Sequence, residues 1–278
     1  MKMTAGLNAI EHMQIAPTGG ALGAEIMGLD LTHPLPTDVV RSVRQALLDH
    51  SVVFLRKQHI SEADQIRFTN YFGRPVEHVR EQPDRPIKEI FIISNVVENG
   101  QPIGALNNDE ISFHSDLSYM PQPGTISILY AVELPATGGA THWCNCRAAY
   151  DALDDDFKAR LKGLRAVHRH PVPAQNPPDP ARHPVVCTHP ESGHKALYVS
   201  PHLTRYIEGL DAALSRELLD RLAQHMLQPR FVWTHDWQLG DLVMWDNRST
   251  MHRREAFPAA ERRLMKRTQI FNDETPRE

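Results

Sequence analysis

The sequence predicts a mainly β protein with flanking helices around a strand-rich core. Three observations lead there. Apolar, β-branched runs of strand length dominate the middle and C-terminal parts of the chain, and helical periodicity appears only between them. Strands and helices do not alternate regularly, which disfavours a doubly wound parallel sheet. A β-sandwich or open barrel decorated by helices fits this order.

Element by element, the chain opens with Gly19-Gly20-Ala21-Leu22-Gly23. A dinucleotide loop needs an apolar strand before it and an acidic residue ~20 positions after it in a βαβ frame, and this segment lacks that arrangement. The segment reads as a turn before a short strand around Ala24-Glu25-Ile26. Thr37 to Leu48 predicts a helix, with Thr37 as its cap and Val40, Val43 and Leu47 at helical spacing. Ser51 to Leu55 reads as a buried strand. Ser61-x-x-Asp64 has the form of a capping box for a second helix, which Gly73 would end. Glu89 to Ser94 is a strand, and Thr125 to Val132 and Ala140 to Trp143 are strands on either side of a Gly138-Gly139 turn. Asp154 to Leu164 and Ser215 to Leu227 predict helices, and Gly240 to Trp245 and Leu264 to Phe271 predict strands. Prolines cluster between Pro171 and Pro184, which predicts loop. That stretch and Asn99 to Asp109 are candidate covers over a site, with plain connectors as the alternative.

Composition narrows the function classes. At 278 residues and 41% hydrophobic, the chain can bury a sizeable core. Its formal net charge of -4 argues against a nucleic-acid footprint, which needs a basic face. No apolar stretch approaches the ~20 residues that span a bilayer. Met1 to Gly20 carries one lysine and no apolar run of a secretory leader. Three cysteines, Cys144, Cys146 and Cys187, cannot form a paired framework, which suits a reducing cytoplasm.

The stretch with the most chemical content is Ser112-Phe113-His114-Ser115-Asp116-Leu117-Ser118-Tyr119. Along a strand, His114 and Asp116 would share one face and the odd-numbered neighbours the other. An imidazole and a carboxylate two residues apart can close on one ion. The stretch from Gly240 to His252 then offers a strand, a polar turn and one more histidine. Two histidines and a carboxylate on one face of an octahedron leave three positions open, the facial triad that holds non-haem iron(II). Further on, Arg263 and Arg267 are four apart and share a face, which suits two carboxylate-like anions. Alone, such a pair also reads as a solvated basic cluster.

Taken together, these motifs resemble the taurine dioxygenase / 2,4-dichlorophenoxyacetate dioxygenase (TauD/TfdA) family. The resemblance runs from Gly20-Ala21-Leu22-Gly23-Ala24-Glu25-Ile26 through Phe72-Gly73, Phe113 to Asp116 and Leu134-Pro135-x-x-Gly138-Gly139-x-Thr141. It ends with Gly240-Asp241 to Arg248, His252 and Arg262-Arg263-x-Met265-x-Arg267. It implies a single domain over residues 1–278 with a double-stranded β-helix (jelly-roll, cupin-like) core. It also implies an iron(II) dioxygenase that uses 2-oxoglutarate and O2.

In that frame His114, Asp116 and His252 match the metal ligands. Arg263 matches the arginine that pairs with the distal carboxylate of 2-oxoglutarate, and Thr141 matches its supporting hydroxyl. Arg267 matches an arginine that holds the anionic end of the substrate. His78 lies near a substrate-contacting histidine. Glu110 stands where the taurine enzyme has an asparagine, a departure that points away from taurine itself. No catalytic residue beyond the metal ligands is implied, and the carboxylate of Asp116 favours hydroxylation over halogenation.

The expected reaction hydroxylates a C–H of a small anionic molecule, a sulfonate, sulfate ester, aryloxyalkanoate or other carboxylate. It releases succinate and CO2, and the hydroxylated product can break down. The family also implies a homo-oligomer, dimer or tetramer, while the net charge and the lack of a long apolar stretch predict no nucleic acid and no membrane partner. Two other readings stay open at this point. One is a metal-dependent hydrolase using the same His/Asp/His site, which has no need for a second carboxylate clamp. The other is a non-catalytic β-sandwich binding module.

Ser115, Asp246, Asn247 and Arg248 are candidates to support the ligands, and Trp245 is read as core. His168-Arg169-His170 is a second same-face histidine pair with no carboxylate beside it, so it is set aside. Cys144-Asn145-Cys146 lacks the four ligands of a zinc site and is read as a strand end. His183, His189, His194, His202, His225 and His235 are expected on the surface or in loops.

Overall fold

The structure, a computed structural model, describes residues 13–80, 82, 85–271 and 275–278. For residues 1–12, the reading of Met1 to Gly20 lies outside them. Eleven strands carry the architecture: β1 (Gln14–Pro17), β2 (Ala24–Met27), β3 (Val52–Leu55), β4 (Phe91–Ser94), β5 (Ile111–His114), β6 (Gly124–Glu133), β7 (Thr141–Asn145), β8 (Val232–His235), β9 (Leu242–Asp246), β10 (Thr250–Arg254) and β11 (Leu264–Phe271). Among the described residues, seven form one sheet in the order β1-β2-β3-β9-β6-β11-β4, and four form a second in the order β8-β7-β10-β5. Neighbours are antiparallel except β2 and β3. The two sheets face each other as a jelly roll with helices outside, as expected.

Strand alternation explains the layering. In the small sheet, Trp143 of β7 and His252 of β10 are cross-strand neighbours and face inward, whereas Cys144 and Met251 face out. Trp143 meets Trp245 of β9 edge to face at 5.5 Å, and Phe54, Leu129, Val243 and Met265 complete the interior. Each such buried large side chain contributes about 1.5–3 kcal/mol.

Outside the large sheet, α1 (Thr37–His50) and α2 (Glu62–Asn70) cover Val53, Leu55 and Ile128. Outside the small sheet, α3 (Cys146–Asp151), α4 (Asp155–Leu161) and α5 (Ala212–Met226) cover Phe113, Cys144 and Met251. No helix among the described residues is long and apolar enough to cross a membrane.

Several predicted boundaries shift for local reasons. Thr37 is the first residue of α1 rather than its cap: Pro36 holds that place, with no side-chain cap bond. The helix runs to His50, and Ser51 leaves the strand to end it at φ 62°. The Ser61/Asp64 capping box is present, but α2 stops at Asn70, before Gly73. α4 begins after the Asp154 cap and stops at Leu161 rather than Leu164, and α5 begins at Ala212, capped by Asp211. Thr18 N–H donates to the Gly23 carbonyl at 3.0 Å, so the glycine-rich segment is the turn of the β1–β2 hairpin. The proline-rich stretch is loop except for a 3-10 turn at Pro173–Gln175 and for Ala181–Pro184, which pairs with Arg165–His168 in a small side sheet.

Candidate metal centre

His114, Asp116 and His252 come together at one end of the sandwich, and one ligand atom from each lies within 4.8 Å of the other two. Cross-strand pairing of His252 with His114 brings the two rings to 4.3 Å. The expected single strand face is only half right. β5 ends at His114, and Asp116 opens the following turn, where Leu117 adopts φ 57°. The chain therefore bends toward the ligand pair instead of continuing flat.

Hydrogen bonds orient two of the three candidate ligands, His114 and Asp116. The His114 Nδ1–H donates to the Ser112 carbonyl at 2.8 Å, which leaves the Nε2 lone pair toward Asp116 Oδ1, 3.7 Å away. Asp116 Oδ2 accepts from Ser127 Oγ at 2.7 Å, and Oδ1 accepts from Arg267 Nη1 at 3.1 Å. The Asp116 backbone N–H donates to Asn247 Oδ1 at 3.1 Å, and Asn247 Nδ2 donates to Ser127 Oγ at 2.9 Å. Ser115 Oγ donates to the Thr250 carbonyl and ties the turn to β10. Asp246 and Arg248 pair with each other and with His189 and Glu191, away from the ligands.

Burial alone raises the Asp116 pKa. The Arg267 charge and the two imidazoles outweigh it, so the carboxyl is held well below its usual range. Burial pushes His252 down to about 3 and keeps it neutral, the form that ligates a metal. Its Nδ1 is buried without a partner among the described residues.

Arg263 and Thr141 lie farther along the same interior. Thr141 pairs with Arg254 across the small sheet, two residues beyond the Trp143–His252 pair. Gly139, two residues before Thr141, packs against Arg263: a Cβ there would stand 3.4 Å from Arg263 Nε. Gly138 must be glycine, because at φ +72° a Cβ would lie 2.5 Å from the Ala256 carbonyl oxygen. Arg263 is buried, and its Nε has no partner among the described residues. Burial, with the nearby Arg254 charge, pushes its pKa down to about 9. Thr141 Oγ1 accepts from Trp237 Nε1 at 3.0 Å.

A cavity of about 340 Å³ opens onto the ligands. His78, Phe91 and Arg267 line it beside His114 and Asp116, and Glu110 stands at its exposed rim, 3.1 Å from Arg253. His78 stacks on Phe91 with centroids 4.0 Å apart, and burial with the Arg267 charge pushes its pKa to about 3. Leu106 and the Pro171–Gln175 segment supply walls, so both stretches considered as covers do border the site.

The set-aside histidines divide. His168 turns away into a buried cluster with His183 and Tyr198, while His170 and His202 line the cavity. His183, His189 and His235 are buried rather than superficial, because the Met120 carbonyl, Asp246 and Asp241 give their rings partners. His194 is exposed as expected, and His225 is half-buried with its ring on the Ala149 carbonyl. Cys144 and Cys146 are buried, free thiols at the end of β7 and the start of α3. Sequence reasoning did not single out Ser127, Gln269, Arg254, Trp237 or Arg80. Ser127 alone left a signal, as a small hydroxyl among apolar residues of a buried strand.

A family model described as "Taurine catabolism dioxygenase TauD, TfdA family" matches residues 14–269. The chain is 34% identical to an "Alpha-ketoglutarate-dependent 2,4-dichlorophenoxyacetate dioxygenase" of Cupriavidus pinatubonensis, over 92% of this chain and 97% of the relative. It is similar to the crystal structure of a taurine dioxygenase from Burkholderia xenovorans, with a TM-score of 0.82 and 33% identity, covering 95% of this chain and 92% of that one. It is also similar to AAD-2 in complex with Mn(II) and N-oxalylglycine, with a TM-score of 0.80 and 31% identity, covering 95% and 98% of the two chains.

Proposed function

The chain belongs to the TauD/TfdA family, and from that premise we propose that it oxidises a C–H bond of a small organic anion at the centre formed by His114, Asp116 and His252. It is an iron(II)- and 2-oxoglutarate-dependent dioxygenase. The observation that carries the reading is a three-donor cluster that shares its interior with a buried Arg263 whose Nε has no partner among the described residues. The donor set fits iron(II): two imidazole nitrogens and one carboxylate held ionised. The Arg263 region fits the distal carboxylate of 2-oxoglutarate, because a buried guanidinium next to Arg254 needs an anion. A metal-dependent hydrolase has no use for that clamp and is not favoured.

When bound, iron(II) with 2-oxoglutarate and O2 supplies the power to oxidise a C–H, with succinate and CO2 as co-products. The chain supplies positioning. His114 and His252 donate ring nitrogens, and Ser127 and Arg267 hold the Asp116 carboxylate in place. Arg263 and Thr141 fix the far end of 2-oxoglutarate. On the cavity side, Arg267, His78 and Glu110 face the primary substrate. The apolar walls and the 171–175 segment exclude water from the reacting carbon.

The relative from C. pinatubonensis is named for an aryloxyacetate and the B. xenovorans structure for taurine, a carboxylate and a sulfonate. Sulfonates, sulfate esters, aryloxyalkanoates and other carboxylates are therefore the substrates to test, and a hydroxylated product bearing a heteroatom can fall apart. We further read residues 1–278 as one domain, supported by the interior shared between the two sheets. We place it in the cytoplasm, supported by three free, buried cysteines, as a homodimer or homotetramer, which light scattering would test.

A panel of these anions, scored by succinate released with iron(II), 2-oxoglutarate and O2, tests the function. An anion that stimulates succinate release while being oxidised supports it. Metal-dependent turnover of an ester without 2-oxoglutarate or O2 would overturn it.

A further inference from the structure

Arg80 lines the same cavity as His114 and Asp116, two residues past His78. Its Nε donates to Gln175 Oε1 at 2.7 Å, and its Nη2 lies 2.9 Å from His170 Nε2. The His170 Nδ1 accepts the Val172 N–H at 3.0 Å. Both neighbours are uncharged: glutamine has no charge, and burial with the Arg80 charge pushes His170 down to about 4. No carboxylate lies within ion-pair distance of Arg80 among the described residues, and its Nη1 has no hydrogen-bond partner there. The contrast is Arg267, the other arginine of the cavity, whose charge is met by Asp116 at 3.1 Å.

A half-buried guanidinium held by Gln175 beside a neutral His170 is pre-organised, and the Asp116 and Arg267 charges act on it with opposite sign. Its remaining N–H groups have the planar geometry that grips an oxyanion with paired bonds. The other cavity walls are of the opposite character: Phe91, Leu106, Ile111, Leu117, Val172 and Leu203.

We propose that Arg80 binds the anionic group of the primary substrate and that the apolar walls take its body. The substrate class is an oxyanion, carboxylate, sulfate or sulfonate, on an aromatic or alkyl frame. This assignment rests on the dioxygenase reading of the same site. Arg267 then serves Asp116 and borders the substrate, while Arg80 supplies the preference for charge.

The test compares wild type with Arg80→Ala, Arg80→Lys and Gln175→Ala, each loaded with manganese(II) and 2-oxoglutarate without oxygen. Calorimetric titration uses three pairs: phenoxyacetate and its methyl ester, hexyl sulfate and hexanol, hexanesulfonate and its methyl ester. Wild type binds at least one anion more tightly than its neutral counterpart, and which pair shows this identifies the anion. Arg80→Ala loses that preference by on the order of 10- to 100-fold. Arg80→Lys keeps part of it, and Gln175→Ala, which frees the guanidinium to turn, reduces it by less than Arg80→Ala does.

Arg80→Ala with its preference intact would overturn the assignment, as would a wild type that favours no anion. In either case 2-oxoglutarate binding in the presence of manganese stays unchanged. Failure of the wild type to bind 2-oxoglutarate would instead overturn the dioxygenase reading.

Discussion

Arg267 Nη1 lies 3.1 Å from Asp116 Oδ1, and both side chains are buried. Without metal, this is the contact that neutralises the Asp116 charge. Removing one member of a buried pair leaves the other uncompensated, so Arg267→Met should cost the metal-free protein about 3 kcal/mol or more. A divalent ion replaces the lost positive charge. Saturating manganese(II) should therefore raise the stability of the variant more than that of wild type in urea denaturation. Equal metal stabilisation of both proteins would contradict this.

Ser127 acts on the other carboxylate oxygen. It donates to Asp116 Oδ2 and accepts from Asn247 and Gln269. Ser127→Ala leaves Asp116 free to turn, and manganese(II) affinity should fall roughly 10- to 100-fold, as for other residues that orient a ligand. Affinity equal to wild type in a calorimetric titration would show that Asp116 is fixed by Arg267 alone.

Arg263 is assigned to the co-substrate and not to the metal. Arg263→Gln should raise the KM for 2-oxoglutarate on the order of 10- to 100-fold and leave manganese(II) affinity unchanged when 2-oxoglutarate is absent. A loss of metal affinity with no change in KM would place Arg263 in a structural role.

His168 and His183 are packed together, centroids 5.3 Å apart, and burial pushes them to about 3 and about 4, below the ordinary 6.5. Unfolding restores the ordinary value, so below it the unfolded chain binds more protons and stability falls as pH falls. The pair should lower the unfolding free energy by about 3 kcal/mol between about pH 7.5 and about pH 5.5. His168→Gln should remove close to half of that slope. A urea midpoint independent of pH over this range would contradict it.

The sequence carried the ligands, the Arg263/Arg267 pair and the main strands, because each rests on local spacing or on a motif. Arg263, just before β11, and Arg267, within it, are both buried, as four-residue spacing requires. What it did not carry depends on loops that fold back. Arg80 meets His170 and Gln175 across a cavity, a contact between segments about 90 residues apart, with no periodicity to announce it. His170 looked like a partner of His168 by parity, but the strand ends at His168 and the two rings part. Thr37 has the composition of a cap, yet Pro36 already holds an extended conformation and starts α1 one residue earlier.

The central claim is that His114, Asp116 and His252 hold one iron(II) that makes 2-oxoglutarate consumption depend on O2. Succinate formation from 2-oxoglutarate, measured with iron(II) in air and under anaerobic conditions for wild type and His252→Ala, tests it most directly. The account predicts succinate from wild type in air and none without O2, without iron or from the variant. Succinate formed equally by His252→Ala, or a wild type that binds iron(II) and never consumes 2-oxoglutarate, would contradict it.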